Sequence, residues 1–163
     1  MASLWQANQI RTNNSSTDCY TVEQNHTLPD VGQQKVVYKI YFKTILNDDI
    51  YKPYEQKINI VEKKYNQSKN NFSEEYLFDE NNNLLFFFRK ENFGEFREFR
   101  FYFNDTKVEK LTITYFDAET GKKMQKMENY SMQQISEKFI KDVEYSISET
   151  NKIFNIFNAI KIF

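Results

Sequence analysis

A chain of 163 residues with 16 Phe and 11 Tyr holds enough bulky apolar material for one domain with a substantial core, which excludes a disordered body. Its 22 basic and 23 acidic side chains leave a net charge of -1, so no long-range field draws it to a polyanion or a membrane surface. A single cysteine, Cys19, excludes an internal disulfide framework, and the longest continuous apolar run, Leu84–Phe88, is far too short to span a bilayer.

Residues 1–34 are expected to form a polar N-terminal arm ahead of a single α+β domain over residues 35–163. Asn13–Asp18 is a turn-forming cluster, and Pro29-Asp30-Val31-Gly32 is a second breaker. A short helix over Leu4–Arg11 fits the pattern. Met1–Ile10 lacks the charged and apolar regions of a signal peptide. If Met1-Ala2-Ser3 is a leader standing where a signal was removed, the expected location is the periplasm or cell envelope; otherwise it is the cytoplasm.

From Lys35 the pattern has period two. Val36, Tyr38, Ile40 and Phe42 share one face of an expected strand, with Lys39 and Lys43 on the other. Asn47-Asp48-Asp49 ends it, and Pro53 restricts the residues after it. Ile58 and Ile60 alternate within Lys57–Lys64, which reads as a second strand, with a helix as the competing assignment. Residues 66–73 read as an Asn- and Ser-rich loop.

The strongest sheet signal comes next. Glu74–Asp79 is a strand with Tyr76 and Phe78 on one side, and Glu80–Asn83 is a turn, because Asn tolerates left-handed backbone. Leu84–Lys90 runs back and Asn92-Phe93-Gly94 turns again. Glu95–Phe103 places Phe99, Phe101 and Phe103 on one face and Glu98 and Arg100 on the other. Asn104-Asp105-Thr106 turns into Lys107–Phe116, with Leu111, Ile113 and Tyr115 inward and Lys110, Thr112 and Thr114 outward. Short connections make successive strands antiparallel neighbours, so this is a four-stranded meander.

Asp117–Asn129 reads as a polar connector. A helix then starts at Ser131, which has the capping-box spacing to Gln134, while Tyr130 and Ile135 have the spacing of a hydrophobic staple. Met132, Ile135, Phe139, Val143 and Ile147 form its apolar stripe, and Lys138, Lys141, Asp142 and Glu144 face away. The stripe falters at Ser148–Asn151 and resumes with Ile153, Phe154, Phe157 and Ile160, so the helix either continues or restarts there.

No residue pattern points to catalysis. His26, the one histidine, and Cys19 both lie in the polar arm with no base or second thiol beside them in sequence, so a structural or solvent role is expected for each. Asp79–Asn83 begins like a calcium loop, but Leu84 stands where Gly is needed and Lys90 where the bidentate Glu is needed, which leaves a hairpin turn. No Gly-rich phosphate loop exists among 3 glycines. Neither a metal nor a cofactor is expected.

Phe86, Phe88, Arg89, Lys90, Phe96, Arg97, Phe99, Arg100, Phe101 and Tyr102 interleave aromatics with cations, as single-strand nucleic-acid platforms do. Simple in–out alternation of a half-buried strand produces the same pattern, and Glu95 and Glu98 interrupt the basic line, so no nucleic-acid partner is expected. The outward set Phe96, Arg100 and Tyr102 is the candidate binding site, and its expected partner is another protein.

The phrases Tyr76–Phe87 and Arg97–Lys107 resemble paired strand phrases in a loose set of uncharacterised exported proteins and lipoproteins of bacteria, across about residues 65–125. Those proteins have a Tyr/Phe-rich meander and a trailing helix. Thr106 departs from the pattern, which usually has a turn Gly there. The resemblance implies envelope localisation and a binding role, and it transfers no catalytic residue. The expected fold is therefore α+β, an antiparallel sheet of about five or six strands with a C-terminal helix packed on one face. The expected function is a non-enzymatic binding module of the bacterial cell envelope. The alternatives are a small inhibitor or immunity-type protein that blocks a toxin or hydrolase, and an enzyme whose carboxylates converge in a cleft.

Overall fold

Nine strands follow one another as antiparallel neighbours in chain order: β1 (Gln6–Ile10), β2 (Asp18–Leu28), β3 (Gly32–Leu46), β4 (Tyr54–Gln67), β5 (Asn70–Phe78), β6 (Leu84–Phe93), β7 (Glu95–Asn104), β8 (Lys107–Phe116) and β9 (Lys123–Ser131). Two helices, α1 (Met132–Lys138) and α2 (Ile140–Ile160), then cover one face. This computed structural model describes residues 6–10, 18–28, 32–51, 54–67, 70–93, 95–104, 107–117 and 119–161.

The α+β class and the C-terminal helix match the sequence expectation, but the sheet is larger than five or six strands. The extra strands come from segments that read as polar. Asp18–Leu28, expected within a polar arm, forms β2, because Tyr20 and Val22 alternate into the core while Thr21 and Glu23 face outward. Gln6–Ile10, inside the span expected as a short helix, is strand β1 paired with β2. The expected connector over Asp117–Asn129 contains β9, a charged edge strand whose Lys content guards an unpaired edge. The expected loop at 66–73 is mostly the ends of β4 and β5. The turn clusters at residues 13–17, 29–31 and 105–106, together with Pro53 and Gly94, lie outside the described residues.

The turn expected at Asp79–Asn83 forms. The Asp79 carboxylate accepts from the backbone N–H groups of Asn81 and Asn83, each at 2.8 Å, and Asn82 takes a left-handed φ of 64°. The Asn83 side-chain amide donates to the same carboxylate at 2.9 Å. That amide first, and then the backbone donors, hold the Asp79 carboxyl below its ordinary range.

Register assembles residues into rows across the sheet. On the helix-facing side Ile40, Val61, Tyr76, Phe87, Phe101 and Leu111 lie opposite one another from β3 to β8, all buried. Phe87 stacks between Tyr76 and Phe101 at centroid separations of 5.0 and 5.5 Å. Each such aromatic pair adds ~0.5–1.5 kcal/mol beyond its buried area. Ile58 and Ile60 do not share a face. The register shifts between Tyr41 and Phe42, which pair with Ile60 and Ile58, so Ile58 is buried while Ile60 faces outward.

The helix breaks at Phe139 (φ −124°, ψ 19°) rather than at Ser148–Asn151, through which α2 is continuous. The Phe139 ring meets Tyr130 edge-on at 4.9 Å, which fixes the change of direction. The Ser131 N–H donates to Gln134 Oε1 at 3.0 Å, one half of the expected capping box. Met132 and Ile147 of the expected stripe are exposed, whereas Ile135, Val143, Ile153, Ile156 and Phe157 are buried. At its far end α2 sets Phe157 against Tyr20 and Phe42.

Candidate functional site

Polar groups concentrate in two places. The first is inside. One step along the strands from the apolar row, the helix-facing positions read Tyr38, Lys63, Glu74 and Arg89 across β3–β6. Above them α2 presents Asp142, Tyr145, Ser146 and Glu149, spaced three and four apart and hence on one helix face. Lys63 Nζ lies 3.3 Å from Glu74 and 3.0 Å from Glu149, and it donates to the Tyr145 hydroxyl at 2.8 Å. Tyr38 donates to Glu149 at 2.6 Å. Tyr65, Tyr76 and Tyr145 donate to Glu74 at 3.0, 2.7 and 2.9 Å. Arg89 reaches Asp142 at 2.6 Å. Asp142 therefore faces the sheet, contrary to the outward direction expected from the helical period.

Glu74 is fully buried, and the side chains of Lys63 and Glu149 are only 6% and 9% exposed. Burial and the neighbouring carboxylates hold Tyr38, Tyr65, Tyr76 and Tyr145 far above the ordinary phenol range. Burial raises the Glu149 carboxyl, but Lys63, the Tyr38 hydroxyl and Lys152 more than offset it and leave it below its usual range. The cluster sets two cations against three carboxylates and links helix to sheet by hydrogen bonds. It fixes how α2 seats.

The second concentration is the opposite, uncovered face. Its rows include Tyr41, Ile60, Leu77, Phe86, Tyr102 and Lys110, and next to them Lys39, Glu62, Glu75, Phe88, Arg100 and Thr112. The three sequence-predicted residues Phe96, Arg100 and Tyr102 alternate along β7 onto this face. Tyr102 is 40% exposed and its ring lies 5.3 Å from that of Phe86, with Lys110 Nζ 5.8 Å from it. The Arg100 guanidinium packs over Phe88 at 5.3 Å, donates to Thr114 Oγ1 at 3.1 Å and pairs with Glu98. These contacts pre-order Arg100 and bury Thr112 and Thr114 beneath it, although both threonines point outward. Phe96 sits opposite Phe116 towards the other end of β7, where Lys90, Asn92, Phe96, Phe116 and Gly121 line a recess of about 230 Å³.

A recess of about 540 Å³ opens near the paired ends of β4 and β5, lined among others by Lys35, Val37, Lys64, Asn66, Ser73 and Lys90. The sequence pattern conceals it because residues 66–73 read as a loop and no single strand holds more than two of these groups. Cys19 is buried on β2, and burial pushes its thiol up despite Lys39. His26 is partly exposed opposite Gln34. Cys19 lies opposite Tyr41 at the β2 side of the uncovered face. Among the described residues no group of three or more His, Cys, Asp or Glu is placed to hold a metal ion, and no helix is long and apolar enough to cross a membrane. The chain matches no family model, and no curated protein or solved structure is significantly similar to it.

Proposed function

We propose that the protein is a non-enzymatic binding module that recognises another protein through the uncovered face of its sheet. The observation that carries this reading is the aromatic–cation set Phe86, Phe88, Arg100, Tyr102 and Lys110, held in place by ring contacts on a face that no described element covers. Tyr and Arg are the residue types that dominate protein interfaces. Arg100 is braced before any partner arrives, so little side-chain entropy remains to be lost on binding.

Charge of both signs supports a protein over a polyanion. Lys39, Lys64, Lys90 and Arg100 alternate with Glu62, Glu75 and Glu98 across the same rows. At strand spacings of ~4.8 Å and ~6.6 Å between same-face residues, six strands and three rows span roughly 550–600 Å², about two-thirds to three-quarters of the ~800 Å² that each partner contributes to a standard interface. The buried cluster around Lys63 and Glu74 is sealed between helix and sheet, which supports a binder over an enzyme. Placement in the bacterial cell envelope rests on the resemblance of the meander phrases to exported proteins.

The test is affinity capture from the source cell with wild type and an Arg100→Glu/Tyr102→Ser variant of unchanged far-UV circular dichroism. A specific partner should be retained by wild type and lost by the variant. Retention of the same partner by both proteins contradicts the assignment.

A further inference from the structure

The β3–β4 hairpin outreaches its neighbours. Described pairing of β2 with β3 ends at Asp18 opposite Phe42, and pairing of β4 with β5 ends at Ile60 opposite Leu77. Beyond those points Lys43–Leu46 and Tyr54–Lys57 pair only with each other. The resulting ribbon projects ~13 Å, at ~3.3 Å per residue, with no described strand beside it. Its end is apolar: Leu46, Ile50 and Tyr51 are 84%, 82% and 88% exposed. Asp48 and Asp49 lie in the chain between Leu46 and Ile50. Two carboxylates among these apolar side chains oppose insertion into lipid, where an isolated charge is costly.

The opposite end of the same two strands carries the complementary chemistry. The 540 Å³ recess has Val37, Tyr65 and Phe72 among its lining and Lys35, Lys64 and Lys90 around it. Lys35 is paired with Glu23 at 2.9 Å and Lys90 lies 3.9 Å from Glu98, while Lys64 makes no ion pair with a described residue. Such a site fits an apolar segment that carries acidic groups.

We propose that the occupant is a second copy of this chain: the Leu46–Tyr51 tip of one copy seats in the Lys35/Lys64/Lys90 recess of the next. Tip and recess lie at opposite ends of β3 and β4, so the contact is head-to-tail and each copy keeps one free tip and one free recess. Asp48 meets Lys64, and Leu46, Ile50 and Tyr51 leave water together. The contact is therefore concentration-dependent and weakens with salt. It goes beyond the partner reading and does not rest on it.

The experiment is sedimentation velocity of the purified chain from micromolar to millimolar concentration at low salt, with Asp48→Lys as the tip variant and Lys64→Glu as the recess variant. Wild type should form dimers and larger species. Each variant alone should associate at least tenfold more weakly. An equimolar mixture of the two should regain association, because the recess variant's intact tip meets the tip variant's intact recess and the two reversed charges are again of opposite sign. Monomeric wild type throughout overturns the proposal, as does association that Lys64→Glu leaves unchanged. Flotation of wild type with zwitterionic phospholipid vesicles, unaffected by Lys64→Glu, assigns the tip to lipid and overturns it too. No partner protein enters these measurements, so failure here leaves the partner reading to its own test.

Discussion

Replacing Lys63 with Met removes the cation from the buried cluster while keeping its volume. Lys63 Nζ lies 3.0 Å from Glu149 and 3.3 Å from Glu74, and Glu74 has no exposed surface. At an effective dielectric of ~20, each contact carries roughly 5 kcal/mol of gross attraction. Most of that is cancelled by desolvation, and removal of one partner from a buried ionic group costs ~3–5 kcal/mol net. That is a large share of the ~5–15 kcal/mol that holds a domain folded. Urea unfolding followed by circular dichroism should show this loss with an unchanged denaturant slope. If Lys63→Met is too unstable to measure, Lys63→Met/Glu74→Gln/Glu149→Gln should fold within ~1 kcal/mol of wild type, because no uncompensated charge remains inside. A loss below ~1 kcal/mol for Lys63→Met alone refutes the reasoning, since it means water already reaches the cluster.

The same geometry sets other outcomes. Phe101→Ala, at a fully buried position in the middle of the apolar row, should cost ~3–5 kcal/mol; Phe139→Ala should cost less, because that ring is only partly buried, and the two are compared by urea midpoint. Tyr38, Tyr65, Tyr76 and Tyr145 favour the protonated form in the fold, so stability should be complete below pH ~10 and fall as pH rises beyond it. In a spectrophotometric titration these tyrosines should ionise only together with cooperative loss of the circular dichroism signal. Glu149 has the opposite sign: its folded carboxyl is held low, so its contribution is present above pH ~4.3 and lost as pH falls through the lower folded value. Acid unfolding of Glu149→Gln should accordingly begin from a lower stability and show a shallower pH dependence.

The central strands were legible because their alternation is unbroken. Phe99, Phe101 and Phe103 against Glu98 and Arg100 leave one way to orient β7, and the structure keeps it. The turn at Asp79–Asn83 was legible because Asn and Asp there satisfy their own backbone. β2 and β9 were obscured by their polar residues: β2 gives the apolar core Tyr20 and Val22 and β9 only the partly buried Tyr130, so each has almost the composition of a loop. The interior cluster was hidden for a different reason. Lys63, Glu74 and Asp142 are charges at inward positions, and periodicity assigns charge to the outside by default; only cross-strand register shows that Lys63 faces Glu74, and only the seating of α2 brings Asp142 to Arg89. Phe96, Arg100 and Tyr102 could be placed on one face from β7 alone, whereas the Lys35/Lys64/Lys90 recess needs four strands in register before it exists.

The central claim is that the uncovered sheet face is where a protein partner docks. A photo-crosslinking side chain placed at Tyr102, and in a parallel protein at the exposed Asn155 on α2, compares that face with the helix side inside the source cell. A discrete protein adduct from position 102 and none from position 155 is the result expected. Adducts from position 155 alone, or equal labelling from both positions, would contradict the claim.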